Sequence, residues 1–232
     1  SAVGSDTIVF AIPGTGPHVI ALQSSALDAD GPLTLDGYTQ PGSSPNGLSP
    51  PQGGLDAVLA IVLVPTTSAG ASSAFILNAG EVTIRGLAMS GFGQSGAVQI
   101  SGATTVVRIE GCYFGTTADG TAVSSPAQRN GIVVNAGRLQ LGGTQPAQRN
   151  LLSGHLGDAL LLRTNAAANT TIEGNLFGTD AAGRVGLGNG GSGGGFAINV
   201  TASGPFNARD LRIGGPHADA RNVFADGALP AI

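Results

Sequence analysis

Apolar residues occur along the chain in short runs, and glycine, asparagine or proline follows each run within a few residues. Examples are Gly131-Ile-Val-Val134, Ala159-Leu-Leu-Leu162 and Phe196-Ala-Ile-Asn-Val200. Short runs of this kind, bounded by turn formers, predict β-strands that are joined by turns. The longest run, Leu55 to Pro65, is predicted to be a buried strand, because it is shorter than the roughly 18 apolar residues that a membrane span needs. Glycine interrupts nearly every window of helical length, which disfavours ordinary amphipathic helices.

Two longer segments repeat nearly in register. Residues 108–120 (RIEGCYFGTTADG) resemble residues 171–183 (TIEGNLFGTDAAG), and the match places Phe114 and Phe177 at equivalent positions. Residues 139–151 (LQLGGTQPAQRNL) resemble residues 211–223 (LRIGGPHADARNV), and a shorter echo links the segment at Val82 to the segment at Val107. Repeats of this kind indicate a solenoid, in which each coil buries its apolar side chains only by stacking on the next coil.

We therefore predict an all-β fold, a right-handed parallel β-helix with roughly 20–25 residues per coil. One domain is predicted over residues 1–232, with less regular N-terminal coils in 1–80 and regular repeats in 81–232. Phe114 and Phe177 are expected to stack in the core, and Cys112, which aligns with Asn175, is expected to fill a small, partly buried position. The glycine tract between Gly186 and Gly195 is expected to form a loop that bulges from one coil.

Three segments carry a resemblance to a known family: Thr7-Ile-Val-Phe-Ala-Ile-Pro-Gly14, Leu35-Asp-Gly-Tyr-Thr-Gln-Pro-Gly-Ser43 and Gly174-Asn-Leu-Phe-Gly-Thr-Asp180. The chain resembles bacterial right-handed β-helix repeat proteins, which are mostly found within long exported proteins. The resemblance implies the fold and a secreted or cell-surface location in bacteria, and it implies much less about activity.

Composition excludes several classes of function. The formal net charge is −4, and all ten basic residues are arginine, which argues against nucleic acid as a partner. No membrane insertion and no cofactor are expected. His18, His155 and His217 lack the spacing of zinc ligands, and there is no Cys-x-x-Cys pair, so a zinc site is not expected.

The carboxylates in the repeats have both structural and functional interpretations. Glu110 and Glu173 are expected to lie on a solvated outer face, while Asp119 and Asp180 are expected to bond the backbone of their own turns. The alternative for the two aspartates is calcium binding, because calcium prefers oxygen ligands. If the protein is an enzyme, Glu110, Asp119, Glu173 and Asp180 are the first residues to test.

Arginine, asparagine and tyrosine supply the weak candidates for ligand binding. Arg129-Asn130, Arg149-Asn150 and Arg221-Asn222 form a recurring pair. The asparagines are expected to form a ladder with left-handed backbone geometry at a corner, and the arginines to cover the turns. The functional alternative is an arginine row that binds acidic sugars. Tyr38 and Tyr113 are candidates for stacking on sugars.

Three functions remain open. The first is a structural or adhesive extracellular module, without enzymatic activity, that could stack end to end with another copy or with neighbouring domains. The second is a carbohydrate-binding module, although the absence of tryptophan weakens it. The third is a polysaccharide lyase or glycoside hydrolase, which would need paired carboxylates or an acidic calcium cluster with a base.

Overall fold

The computed structural model describes residues 4–23, 26–66, 73–93, 95–163, 169–191, 194–201 and 210–225. Its strands form three parallel sheets. Sheet A contains β1 (Asp6–Val9), β4 (Leu33–Asp36), β7 (Glu81–Arg85), β10 (Val106–Glu110), β13 (Arg138–Gly142), β16 (Thr171–Glu173) and β19 (Arg212–Ile213). Sheet B contains β2 (His18–Leu22), β5 (Ile61–Pro65), β8 (Ala88–Met89), β11 (Tyr113–Phe114), β14 (Leu151–Leu152), β17 (Leu176–Phe177) and β20 (Val223–Phe224). Sheet C contains β3 (Leu27–Ala29), β6 (Phe75–Leu77), β9 (Val98–Ile100), β12 (Ile132–Val134), β15 (Leu160–Arg163) and β18 (Ile198–Thr201).

The chain visits sheets A, B and C in turn, so that each strand pairs with the strands three before and three after it. One pass through the three sheets is one coil, and coils 1 to 7 begin with β1, β4, β7, β10, β13, β16 and β19. This order confirms the predicted all-β parallel β-helix, and connections between parallel strands of one sheet are right-handed. Short 3-10 turns lie between strands at Gly37–Thr39, Pro50–Gln52, Pro146–Gln148 and Ala218–Ala220.

The core is a set of ladders formed by equivalent residues of successive coils. Sheet strands alternate inward and outward residues, as β10 shows with buried Val107 and Ile109 between half-buried neighbours. Sheet A contributes Ile84, Ile109, Leu141 and Ile172, sheet B contributes Met89, Phe114, Leu152 and Phe177, and sheet C contributes Val98, Ile132, Leu160 and Ile198. Each coil therefore buries its apolar side chains only against its neighbours, as the repeat predicted.

The predicted coil length, roughly 20–25 residues, is wrong for most coils. Val82 pairs with Val107 across a coil of that length, but Leu35 pairs with Ile84, and Ile172 with Ile213, across much longer coils. The repeat that relates Phe114 to Phe177 is two coils, since Leu152 lies between them in sheet B. The core ladders fix only the strands, so the connections between strands accept insertions without disturbing the stack.

Two further expectations also need correction. Phe114 and Phe177 are buried in the core as expected, but Phe177 stacks on Phe224, with 5.1 Å between the ring centroids, and not on Phe114. In the run Leu55 to Pro65 only Ile61–Pro65 is a strand. Gly131 to Val134, Ala159 to Leu162 and Phe196 to Val200 do contain the expected strands β12, β15 and β18.

The asparagine ladder forms at the corner between sheets A and B. Asn150 Nδ2 donates to Asn175 Oδ1 (2.8 Å), and Asn175 Nδ2 donates to Asn222 Oδ1 (3.2 Å). Cys112 occupies the same corner one coil earlier, where its backbone N–H donates to Asn150 Oδ1, and it is fully buried. The expected left-handed backbone is wrong, because the described non-glycine residues with positive φ are Asn169 and Asp210. Asn130 lies at a different corner, just before β12, and is not part of this ladder.

A segment of coil 2, residues 40–59, crosses the outer face of sheet B, and we call it the strap. Its Asn46 donates through Nδ2 to Pro146 O (2.8 Å), and its Leu55 N–H donates to Ala181 O (2.6 Å), so the strap reaches coils 5 and 6. Gly54 permits the close approach, since a Cβ there would lie 2.2 Å from Ala181 O. Leu55 and Leu59 of the strap form a second apolar cluster with residues of the stack beneath it: Ala88, Tyr113, Leu151, Leu176 and Ala181.

Arg149 fastens the strap to the stack. Its guanidinium is buried and donates through Nη1 to the strap carbonyls of Leu48, Gly53 and Gly54, at 2.9 to 3.0 Å. Its Nε donates to Gly174 O (2.9 Å) in coil 6. Burial lowers the pKa of this guanidinium, because its charge is surrounded by neutral carbonyls rather than by water.

Candidate functional site

A groove of about 460 Å³ runs over the outer face of sheet C, and we call it the sheet C groove. Its floor is the outward row of four neighbouring strands: Gln99 of β9, Val133 of β12, Leu161 of β15 and Asn199 of β18. Strands in a sheet lie about 4.8 Å apart, so the floor runs along the axis of the β-helix, one residue per coil. Val133 and Leu161 point outward yet are only 2% and 6% exposed, which shows that the groove has walls.

One wall consists of the loops that lead into the sheet C strands. Arg129 and Asn130 precede β12, Gly157 and Asp158 precede β15, and Gly194 and Gly195 precede β18. The loops are bonded to each other, since Gly157 N–H donates to Arg129 O (2.7 Å) and Asp158 N–H donates to Asn130 Oδ1 (2.9 Å). This wall is therefore held in place before any ligand arrives.

Asp158 is the carboxylate of this wall, and both of its oxygens are engaged. Its Oδ1 accepts from Phe196 N–H (2.9 Å), and its Oδ2 accepts from Asn199 Nδ2 (3.0 Å). These bonds join coils 5 and 6 at the edge of the groove. They also leave Asp158 positioned by the fold rather than free to act as a proton carrier.

The opposite wall lies at the carboxyl ends of the same strands. Asn135 follows β12, and Arg163 is the last residue of β15. Arg163 Nη1 lies 3.4 Å from Asn135 Oδ1, and Asn135 Nδ2 lies 3.4 Å from Ser101 Oγ, so both contacts are long. A ligand that accepts hydrogen bonds could replace them at little cost.

The groove places two guanidinium groups on a chain whose net charge is −4. Arg129 and Arg163 are both exposed, and neither forms an ion pair among the described residues. Other arginines do form ion pairs: Arg85 with Asp36 (2.6 Å), Arg108 with Glu81 (3.4 Å) and Arg212 with Glu173 (2.9 Å). The groove is lined mainly by polar groups, among them amides and these two cations, with a narrow apolar strip at Val133 and Leu161, which suits a ligand with polar edges and small apolar faces.

His155 lies behind the first wall and supports it. Its backbone N–H and its Nδ1 both bond Asn189 Oδ1, at 3.2 and 2.9 Å, and the next residue, Leu156, donates to Gln128 O (2.9 Å). Asn189 Oδ1 can only accept, so Nδ1 carries the proton and Nε2, which has no partner among the described residues, is unprotonated. Burial lowers the pKa of His155 to about 4.

The four carboxylates that would be tested first for catalysis are distributed over two other parts of the molecule. Glu110 and Glu173 lie on the outer face of sheet A, where Glu110 accepts from Gln148 Nε2 (3.0 Å) and Glu173 pairs with Arg212. The two glutamates lie in the same row of the sheet but two coils apart, with Gly142 between them. Their side chains therefore do not stack directly on each other. Both lie on the outer face of the sheet, but neither is fully solvated, since the Glu173 side chain is only 13% exposed.

Asp119 and Asp180 lie in the loops between sheets B and C of coils 4 and 6. Asp119 accepts from Thr121 N–H (3.1 Å) and from hydroxyls of its own loop, chiefly that of Thr117, which lowers its pKa. Asp180 accepts from the N–H groups of Arg184 (2.7 Å) and Val185 (3.0 Å). Both carboxylates therefore bond the backbone of their own turns, as expected. In the described part of the chain, no three His, Cys, Asp or Glu side chains meet as metal ligands.

Three of the candidate ligand-binding residues do not offer a free side chain. Tyr113 is buried beneath the strap, where burial raises the pKa of its hydroxyl, so its ring is not available to a sugar. Tyr38 is half-buried and donates its hydroxyl to Gly111 O (2.9 Å). Arg149 is buried under the strap. Arg221, the equivalent of Arg149 in coil 7, is exposed but lies away from the groove, and of the three arginines only Arg129 lines it.

The groove brings together residues that the repeats did not reveal: Gln99, Asn135, Asp158, Arg163 and Asn199. One signal was present in the sequence. Gln99 and Asn199 are polar residues at the centre of apolar strands, Val98-Gln-Ile100 and Ile198-Asn-Val200, and alternation places such residues on the outer face. The wall residues carry no comparable signal, because they lie in loops of unequal length.

Comparison with known proteins adds no relative: no family model, no curated protein and no solved structure matches the chain. None of the described helices combines the length and the apolar character that crossing a bilayer requires.

Proposed function

We propose that the protein is a non-enzymatic adhesive module, a rigid β-helix that binds an extended polysaccharide along the sheet C groove. The observation that carries the proposal is the floor row, in which two shielded apolar residues, Val133 and Leu161, lie between two amides, Gln99 and Asn199. Sugar rings have apolar C–H faces and hydroxyl edges, so they fit such a row. The resemblance to exported bacterial β-helix repeat proteins supports a secreted or cell-surface location as part of the same proposal.

The shape of the groove favours a polymer over a small ligand. The floor crosses four strands, which corresponds to roughly 14 Å between the outer two strands. The loops of the first wall come from consecutive coils, and a backbone hydrogen bond from Gly157 N–H to Arg129 O joins two of them. A long ligand would therefore contact equivalent positions in each coil and gain affinity from several weak contacts together.

The positions of the carboxylates favour binding over cleavage. Hydrolysis of a glycosidic bond ordinarily uses two carboxyl groups that flank the bond. Among the described residues that line the groove, Asp158 is the carboxylate, and the chain itself occupies both of its oxygens. Glu110, Glu173, Asp119 and Asp180 lie elsewhere and are engaged in structural bonds.

The test is calorimetric titration of the purified protein with a panel of soluble neutral and acidic polysaccharides, while reducing ends and unsaturated products are monitored. We expect saturable binding to at least one polymer and no product. Leu161→Glu should abolish binding, whereas Gln140→Glu, which adds the same charge to the outer face of sheet A in the same coil, should not. Gln99→Ala should weaken binding without lowering the unfolding midpoint.

Two results would contradict the proposal. If no polymer binds, or if Gln140→Glu and Leu161→Glu have equal effects, the groove is not the binding site. If reducing ends or unsaturated sugars accumulate in proportion to protein concentration, the protein is an enzyme.

A second candidate, end-to-end association, is favoured by one observation at the first coil. Ile8 and Leu27 belong to inward rows of the core, yet they are 42% and 51% exposed, because β1 and β3 are edge strands. A strand of a second copy or of a neighbouring domain could cover them. Sedimentation velocity at rising concentration should then show association that Leu27→Glu reduces, and a single monomeric species throughout would dispose of this candidate.

A further inference from the structure

We infer that the sheet C groove selects an acidic polysaccharide, and that Arg129 and Arg163 bind carboxylates of successive sugar residues on opposite sides of its chain. The inference rests on the proposed function, since it names the class of polymer that the same groove would bind. It is carried by the placement, in one groove of an acidic protein, of two cations that form no ion pair within the described ranges.

The two arginines lie on opposite walls and in consecutive coils. Arg129 is in the loop that precedes β12 in coil 4, and Arg163 ends β15 in coil 5. Between them on the floor lie Val133 and Leu161, which pair directly in the sheet. In coil 4 the available positive charge therefore lies on the first wall, and in coil 5 it lies on the opposite wall.

The geometry of an extended sugar chain matches this alternation. Neighbouring coils are about 4.8 Å apart, close to the length of one pyranose ring in an extended chain. In an extended β-1,4-linked chain each ring is turned by about half a rotation relative to the last, so carboxylates on successive rings point to alternate sides. A uronate over Val133 would direct its carboxylate to Arg129, and the next uronate, over Leu161, would direct its carboxylate to Arg163.

Guanidinium is the suitable group for this task. It binds a carboxylate through two parallel N–H donors, and it keeps its charge at every physiological pH. The Arg129 backbone is fixed by the bond from Gly157 N–H to its carbonyl, while its side chain has no bond among the described residues. Arg163 has only the long contact to Asn135 in the part of the chain that the structure describes, and a carboxylate could replace that contact.

Asp158 opposes an anionic ligand, and its hydrogen bonds reduce that opposition. Its two oxygens face Phe196 N–H and Asn199 Nδ2, which offset part of its charge. It lies on the same wall as Arg129, one coil further along. The second uronate, over Leu161, directs its carboxylate to Arg163 on the opposite wall. This carboxylate therefore points away from Asp158.

The test compares two matched oligosaccharides by calorimetry: β-1,4-linked oligoglucuronate and a cello-oligosaccharide of the same length, which differ only in carboxylate against hydroxymethyl. We expect the acidic oligomer to bind more tightly, with an affinity that falls as salt is added. Arg129→Ala and Arg163→Ala should each weaken acidic binding about fivefold to tenfold. Arg138→Ala, which removes an exposed arginine from sheet A, is the control and should leave the affinity for both oligomers unchanged.

A third oligomer tests the alternation itself. In a chain of alternating glucuronate and glucose every carboxylate lies on one side, so only one arginine can be used at a time. We expect this oligomer to bind with an affinity between those of the neutral and the fully acidic chains. Either single arginine variant should lose less affinity for it than for the fully acidic chain.

The outcomes separate the inference from the proposed function. If acidic and neutral oligomers bind equally and the arginine variants bind as the parent does, the charge selectivity is wrong while the groove remains a polysaccharide site. If the alternating oligomer binds as tightly as the fully acidic one, the two-sided arrangement is wrong. If no saccharide of any kind binds, the proposed function fails and the inference fails with it.

Discussion

The outer faces of sheets B and C both carry apolar residues, but the molecule treats them differently. On sheet B, the outward row Ala88, Tyr113, Leu151 and Leu176 is covered by the strap and sealed by hydrogen bonds to coils 5 and 6. On sheet C, Val133 and Leu161 are shielded by walls on either side but remain the floor of a groove. An apolar face that the chain itself covers contributes to stability, whereas one that is only walled is available to a ligand.

The largest effect in this comparison should come from the residue that fastens the strap. Arg149→Ala would remove a hydrogen-bond donor from four backbone carbonyls. Leu48 O would keep its bond from Asn46 Nδ2, while the carbonyls of Gly53, Gly54 and Gly174 would lose their donor. We expect a loss of about 3–5 kcal/mol in the free energy of unfolding, measured by chemical denaturation, because each buried carbonyl that loses its donor costs about 1–3 kcal/mol. Arg221→Ala removes the exposed equivalent in coil 7 and should cost less than about 0.5 kcal/mol. Equal effects of the two variants would show that the strap is not held by Arg149.

A second pair of variants compares the two apolar faces directly. Tyr113→Ala would open a cavity under the strap. It should lower the free energy of unfolding by about 3–4 kcal/mol, because the covered site cannot close around the smaller side chain. Leu161→Ala, at the floor of the groove, should cost only about 1–2 kcal/mol, because water can enter the widened groove. Denaturation of both variants in the same buffer measures the difference. If Leu161→Ala proves as costly as Tyr113→Ala, the groove is a closed part of the core.

The region between the two faces should respond to acid. His155 has a pKa of about 4 in the folded protein and an ordinary value of 6.5, so the unfolded chain binds its proton first as the pH falls. Stability is therefore greatest above pH 6.5 and declines as the pH falls towards 4, by up to roughly 3 kcal/mol at about 1.4 kcal/mol per pH unit. His155→Gln should flatten the decline in that window. A parent protein that is equally stable at pH 7 and pH 4.5 would contradict the burial of a neutral imidazole.

The sequence predicted what repeats from coil to coil, and little else. The inward ladders were predictable because each coil must place an apolar residue at the same point, as Ile109, Leu141 and Ile172 do. Asn150 and Asn222 of the corner ladder were predictable for the same reason, but their backbone geometry was not, Asn130 was wrongly assigned to the ladder and Asn175 was missed. Cys112 shows the limit, since it occupies the corner without being an asparagine.

The strap and the groove could not be read from repeats, because each depends on contacts between unequal loops. Arg149 bonds carbonyls from a much earlier part of the chain, and no local pattern indicates that the loop of coil 2 should lie over coils 5 and 6. Arg129 and Arg163 meet in one groove only because the strands β12 and β15 pair in register. Their proximity follows from the stacking, which has to be known before the site can be seen.

The most direct test of the sheet C groove as the binding site follows side-chain amide signals in NMR spectra. A polysaccharide that binds is titrated into the protein during the measurement. We predict that the NH₂ signals of Gln99, Asn135 and Asn199 shift together and saturate at one ligand concentration. The signals of Asn46, which lies in the strap, and of Asn150 and Asn175, which lie in the corner ladder, should stay fixed. Shifts at Asn46 without shifts at Gln99 and Asn199 would contradict it, because the ligand would then bind the face that the chain has already covered.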